Sequence, residues 1–501
     1  MLSDYFKKNI DSLLASAVGF FIIILFTRYG GIGISPDSIA YTSAARNLIS
    51  GNGLTEFSGA PLVAFPLFYP LFLGLVMIVT QHDIILVAPF LNALMFAILI
   101  FLSGTIIEHF KYKTKWYKRI LLIIISISPS LIEIYSMLWS ETLFIILILV
   151  FFLLFHRYLL KHNTLSLVLA ATVAAIAFDT RYAGITLVSS GVLLIFFDKN
   201  LKWIKKITHI LLFGAVGISI VILNLIRNIL ENGLATGMRQ ESITSLSQNI
   251  GYYSSVLSDW LRLPILDKFF IQVFAVIIML LFLIFFIRNI NHWKSYYTYE
   301  NIAVSFFIVY VLFIVLSSTF SRYETINNRL LAPAFLPLLW ISTCQIPKWK
   351  NQMPHRRLKW VFLAFFVGIA TVLIGSYFAI NQDNLSYMNE TGIPGYNEDT
   401  WKKSQLVNYI QKHKELFEDD SIIYSNHCQA VYFLTGHSVT TLPERVYKND
   451  VDEFKRTENS LLIWFNLDYN PDLLNLKEIR NYKRMKRIKS FSDGAIFILK
   501  N

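Results

Sequence analysis

Apolar runs that are candidates for crossing a bilayer recur from residue 12 to residue 380, separated by more polar segments. A hydrocarbon core takes roughly 20 apolar residues of helix, and about eleven runs are candidates for that role. They fall at 12–28, 84–107, 120–137, 141–159, 164–178, 183–197, 208–226, 269–287, 301–318, 330–346 and 360–380. The fold class that follows is a polytopic α-helical membrane protein. A composition of 55% hydrophobic and 16% charged residues, with mean hydropathy +0.51, excludes an ordinary soluble enzyme.

The net charge of +12 does not point to nucleic acid, because the cations gather between apolar runs, as in KYKTKWYKR at 111–119. Such clusters mark loops on the cytoplasmic side. Lys7 and Lys8 place the N-terminus inside and make the first run a retained signal-anchor. The run 66–80 is short and carries two prolines. Counting it as a span would put the 111–119 cluster outside, so it reads as a re-entrant or interfacial element. With that assignment every later basic loop lands inside. The polar corners at 29–83, 138–141, 179–182, 227–268 and 321–329 then face outward. Cys344 and Cys428 are too few for a disulfide framework, and no bridge between them is expected.

After residue 380 the apolar runs shrink to strand length, at 421–425, 460–465 and 495–500, with amphipathic stretches such as 401–413 between them. This predicts a small α/β domain over 381–501, extracytoplasmic by the loop parity. The expected organisation is thus a membrane domain over 1–380, with an outer catalytic loop at 29–83, followed by a soluble outer domain.

Charged residues at span ends are the first candidates for chemistry. Asp37 follows the first span within Ser-Pro-Asp-Ser. It reads either as a general base near the membrane surface or as the N-cap of a helix over 38–50 that stops at Gly51-Asn-Gly53. Arg46, Arg181, Arg227, Arg239, Arg322 and Arg329 all fall on the outer side, against the topological rule. Guanidinium forks bind phosphate bidentately, so a lipid-linked phosphate would explain them. The alternatives are pairing with Glu133, Glu141, Asp179, Glu241 or Glu324, or contact with phospholipid head groups. His82 and Asp83, with Asp37, form a weak candidate site for a divalent metal; no cofactor is otherwise indicated. Tyr252, Tyr253 and Trp260 read either as an interfacial aromatic belt, the favoured reading, or as a platform for a sugar ring or a prenyl chain.

The loop P-D-S-I-A-Y-T-S-A-A-R-N-L-I-S-G-N-G resembles the first outer loop of the C-type glycosyltransferase superfamily, in the branch of the protein O-mannosyltransferases and the aminoarabinose transferase of lipid A. Asp37, Tyr41, Ala45, Arg46, Leu48 and Gly51 carry the match. Tyr69-Pro70-Leu71, Trp139-Ser-Glu141, Thr180-Arg-Tyr182 and Asn328-Arg-Leu-Leu-Ala-Pro333 resemble further corners of the superfamily. The resemblance implies a sugar donor on polyprenyl phosphate, a glycan, lipid or protein acceptor activated by Asp37, and inversion at the anomeric carbon. It implies that Arg329, Arg181, Arg322, Arg46 and Arg227 hold the lipid phosphate, and that Tyr41, Ser38, Tyr69, Glu141, Tyr182 and Glu324 line the substrate pocket. The chain departs from the pattern at Ser38, where many members carry a second acid, and at Phe68-Tyr69-Pro70, where the aminoarabinose branch has Glu-Lys-Pro. The location expected is the plasma membrane of a bacterium or archaeon. Two other functions remain open at this stage, a polymerase or ligase of lipid-linked polysaccharide and a lipid-linked sugar flippase.

Overall fold

The computed structural model describes residues 2–501 except 238, 264–266, 323, 418–420 and 468–469, together with all side chains but those of residues 2–8 and Trp293. The side chains of Lys7 and Lys8 thus lie outside the described residues. The chain divides into two compact units, Met1–Arg28 with Val63–Ser386, and Tyr29–Leu62 with Tyr387–Asn501.

The first unit is helical. Among the described residues eight helices are long and apolar enough to cross a bilayer, or nine if the pair Lys115–Ser126 and Pro129–Ser136, bent by 47°, is one span. The sequence predicts eleven. The difference lies in Thr164–Thr180 and Tyr182–Phe197, apolar helices below that length. Phe68–Thr80 is also short: at 13 residues it spans only about 20 Å.

Local chemistry explains the bend. Pro129 has no N–H to continue the preceding helix, and the carbonyl of Ile127 left at the break accepts the Asn381 amide at 2.8 Å. Asn92 similarly donates to the carbonyls of Tyr135 and Met137, at 3.0 and 2.8 Å, where the second half of the pair ends. Small residues let the first helix, Leu2–Thr27, lie close on Ile84–Ile107. A Cβ on Gly104 would meet the Ser12 hydroxyl at 2.2 Å, the close approach that holds membrane helices together in lipid. Phe151, Phe155 and Phe213 pack together in the interior with centroids 5.1–6.3 Å apart. Lys268–Ile290 and Arg356–Thr391 have only 22% and 6% of their apolar windows buried, so lipid is the medium that matches their surfaces.

The second unit holds a five-stranded sheet of β1 (Ile423–Ser425), β2 (Thr440–Thr441), β3 (Ser460–Phe465), β4 (Arg484–Phe491) and β5 (Gly494–Lys500), in the order β2-β1-β3-β5-β4. β1 runs parallel to β2 and β3, whereas β5 runs antiparallel to β3 and β4. Leu462, Phe497, Leu499, Phe454 and Ile479 build the core on one face. The sequence reading grouped 29–83 with the membrane helices, but Tyr29–Leu62 clusters with the tail. Backbone bonding is the reason. Ile34 bridges Gly395 in parallel, Tyr396 N–H donates to Ile34 O at 2.8 Å, and Asn397 donates to Ile32 O at 2.7 Å. Phe57 stacks on Tyr432 at 5.0 Å.

Candidate active site

In the first unit three helix ends converge on one buried carboxylate. Glu141 opens the helix Glu141–Lys161, where a negative charge suits the positive end of the helix dipole. Arg181 follows the last residue of Thr164–Thr180, and Arg329 lies in the first turn of Asn328–Thr343. Arg181 Nη1 and Arg329 Nε both reach Glu141 Oε1, at 2.7 and 2.6 Å. Arg181 also donates to the Ser140 hydroxyl at 2.9 Å, and the Arg329 guanidinium lies over the Trp139 ring at 4.4 Å. The Glu141 side chain is 1% exposed, against 17% for Arg181 and 12% for Arg329. The carboxylate is therefore closed off, whereas both arginine side chains are partly exposed. Glu141 Oε2 meets no hydrogen-bond donor among the described residues.

A second acid, Glu133, approaches through an intermediary. Its Oε2 accepts the Asn328 amide at 2.6 Å, and Asn328 Oδ1 accepts the Trp260 indole N–H at 2.6 Å. The Trp260 carbonyl in turn accepts the Tyr377 hydroxyl at 2.6 Å. Trp260 is thus buried, packed edge-on against Phe335, and is not the interfacial belt residue the sequence suggests. Glu324 Oε1 stands 3.9 Å from Arg329 Nη1 and is partly exposed, a weak and screened pair.

The other cations of the sequence reading are dispersed among separate partners. Arg227 donates to Asn228 at 3.1 Å, Arg322 to Gln240 at 2.8 Å, and Arg239 lies over the Tyr182 ring at 5.9 Å. Asp179 accepts the Asn224 amide at 3.1 Å. Tyr69 is fully buried and forms part of the packing under the cluster. Asp83 caps the helix Ile84–Ile107 through Ile85 N–H, and His82 Nδ1 lies 2.6 Å from Thr80 O. Among the described residues no group of three or more His, Cys, Asp and Glu side chains is gathered for a metal.

In the second unit Asp37 occupies the first turn of the helix Pro36–Ile49. It is not the N-cap. Ser35 takes that position, with its N–H on the Ser38 hydroxyl at 3.0 Å and the two hydroxyls 3.1 Å apart. The half-buried Asp37 thus sits on a helix start that is held by other residues. Ser38 and Tyr41 are buried in the body of that helix, and Arg46 lies in its last turn. Gly51 and Gly53, with φ of +82° and +73°, turn the chain out of it. Asn47 then fixes the returning loop by donating to Thr55 O and Glu56 O, at 2.9 and 3.0 Å.

The sequence singles out Glu133 as a possible arginine partner and Trp139 and Asn328 as parts of resembling corners, but gives none of them a role in the site. Their contacts with Asn328, Arg329 and Trp260 come from the structure.

No family model and no curated protein matches the chain. Solved structures do. ArnT from Cupriavidus metallidurans in the apo state aligns with TM-score 0.57 over 97% of both chains, at 9% identity. The same protein bound to undecaprenyl phosphate gives 0.54 over 97% of both, at 11% identity. The archaeal oligosaccharyltransferase AglB from Archaeoglobus fulgidus, in complex with an inhibitory peptide and a dolichol-phosphate, gives 0.53 over 92% of this chain and 70% of its own, at 10% identity. At these identities the likeness establishes the fold, the GT-C fold that the first-loop motif resembles.

Proposed function

We propose that this protein is an integral-membrane glycosyltransferase that moves a sugar from a polyprenyl-phosphate donor to an acceptor hydroxyl at the outer face of the membrane, with inversion. The observation that supports this most directly is the pair of guanidiniums on one buried carboxylate. Arg181 and Arg329 share one buried carboxylate oxygen, and both arginine side chains are partly exposed. Guanidinium forks fit phosphate oxygens, and in a low-dielectric site such a charge stabilises a leaving phosphate strongly. Undecaprenyl phosphate and dolichol-phosphate on two neighbours of the same fold support the lipid carrier.

The role of Asp37 rests on the first-loop resemblance, by which it accepts the proton of the acceptor hydroxyl, whose oxygen bonds to the anomeric carbon. The bond from that carbon to the phosphate oxygen breaks, and its electron pair leaves with the phosphate, held by Arg329 and Arg181. Glu141 keeps both forks oriented. The first-loop resemblance carries Arg322, Arg46 and Arg227 over as further donor-binding residues, and Tyr41, Ser38, Tyr69, Tyr182 and Glu324 as substrate-pocket residues. The distribution of basic loops along the sequence supports an outer location for these groups and for the Tyr387–Asn501 region.

Transfer from a synthetic polyprenyl-phosphate sugar, followed for wild type and Arg329→Ala in nanodiscs, tests the reading. Release of polyprenyl phosphate should fall by about 10²-fold or more in the variant. Movement of the lipid-linked sugar across the bilayer without cleavage would instead indicate a flippase and overturn the proposal.

A further inference from the structure

The sheet of the second unit has a topological switch between β1 and β3. From β1 the chain passes through the helix Cys428–Thr435 to β2 on one side of β1, then returns through the helix Lys448–Arg456 to β3 on the other. The loops leaving the carboxyl ends of β1 and β3 thus part in opposite directions. In open α/β sheets that divergence leaves the crevice where ligands bind. Here it contains a cavity of ≈ 230 Å³ lined by Asn426, Trp464, Asn466 and Asn470, with Leu473 and Leu474 beneath.

The walls are built in two ways. Asn426 clamps the strand ends together: its Nδ2 donates to Phe465 O and its Oδ1 accepts Phe465 N–H, both at 2.9 Å. The loop after β3 is tied to the loop after β2 by Leu474 N–H on Pro443 O at 3.1 Å and by Arg445 N–H on Asp472 O at 2.8 Å. Other polar capacity is left over. Asn470 Oδ1 accepts Asp472 N–H at 3.0 Å, but its Nδ2 has no protein acceptor among the described residues. The exposed Asn466 side chain has no partner there either. Trp464 is half-buried beside the two buried leucines.

We propose that this crevice binds a neutral sugar ring. Primary amides both donate and accept, as a ring of hydroxyls requires, and an indole with a leucine floor suits the apolar face of a pyranose. The volume lies below the roughly 300–1,000 Å³ of sites for drug-sized ligands, so one ring enters while the rest of a glycan stays outside. The crevice belongs entirely to the second unit and does not depend on the transferase reading.

Saturation-transfer NMR on the full chain in glycolipid-free nanodiscs tests this, using the methyl α- and β-glycosides of common hexoses and pentoses as probes. At least one glycoside should bind in the millimolar range. Asn466→Ala, at an exposed position, should weaken it by about fivefold, as expected for one lost neutral hydrogen bond. Trp464→Ala should weaken it at least as much and Trp464→Phe less, whereas Arg329→Ala should leave it unchanged. No binding by any glycoside, equal binding in wild type and Asn466→Ala, loss of binding in Arg329→Ala, or competition by inorganic phosphate would each overturn the proposal.

Discussion

Arg329 and Glu141 meet at 2.6 Å from the first turns of two different helices. The arrangement is asymmetric. A carboxylate in a first turn is favoured by the helix dipole, and a guanidinium in one is disfavoured. Arg329 therefore depends on Glu141 to hold it there, and Arg181 shares the same oxygen. Glu141→Gln removes the one buried anion under two cations. It should cost about 3 kcal/mol, the usual scale for breaking a buried pair, read as a lowered midpoint of thermal unfolding in nanodiscs.

Arg329→Lys keeps the charge but not the fork. A lysine ammonium cannot bond Glu141 and grip a phosphate in the same plane. Transfer should drop nearly as far as in Arg329→Ala, while unfolding stability falls less. Recovery of wild-type turnover in the lysine variant would show that charge alone suffices.

Asp37 is supported by a helix start whose capping bonds come from Ser35 and Ser38. Asp37→Asn should therefore leave folding intact and lower the turnover number by about 10²–10⁴-fold, the usual scale of general-base catalysis. Ser35→Ala should do the reverse, costing about 1 kcal/mol of stability with a smaller effect on turnover. Hydrogen exchange across residues 36–49 separates the two.

Gly395 has φ +92°, and a Cβ there would meet Ile34 O at 2.0 Å. Gly395→Ala should break the Ile34 bridge, with a conformational cost of at least about 1–2 kcal/mol and the clash in addition. Faster amide exchange at residues 393–398 and 32–36 is the expected signature.

Glu478 links the helix Leu476–Tyr482 to the loop after β2. Its Oε2 accepts Asn475 N–H at 2.8 Å and Arg445 Nε–H at 2.9 Å. Burial alone would raise its pKa, but the Asn475 amide and the Arg445 guanidinium outweigh that and hold it below the usual 4.5. A depressed carboxylate adds stability that is present above its unfolded value and lost as pH falls through the folded one. Exchange protection at 475–483 should thus be steady near neutrality and decline below about pH 4.5. In Glu478→Gln it should be lower near neutrality and show less of that decline.

The Ser-Pro-Asp-Ser start of the first-loop helix and its Gly51-Asn-Gly53 stop are legible in the sequence, because capping and left-handed turns depend on a few adjacent residues. The apolar runs are legible for a similar reason, since each helix satisfies its own backbone in lipid. Three of the five strands, β1, β3 and β5, announce themselves as short apolar runs. β2 and β4 do not: β2 is two residues long, and β4 is basic and largely exposed, held only along one edge by β5.

What the sequence determined by itself was a membrane-spanning helical chain with a changed, strand-bearing tail, and the identity of Asp37, Arg181, Arg329 and Glu141 as residues placed where charge is costly. Only the tertiary structure decided that both arginines share one oxygen of Glu141, that Glu133 is reached through Asn328, that Trp260 is interior, and that the first loop folds with the tail. These are pairings between residues tens to hundreds of positions apart. Their energies depend on distance and burial, which hydropathy and local propensity do not encode.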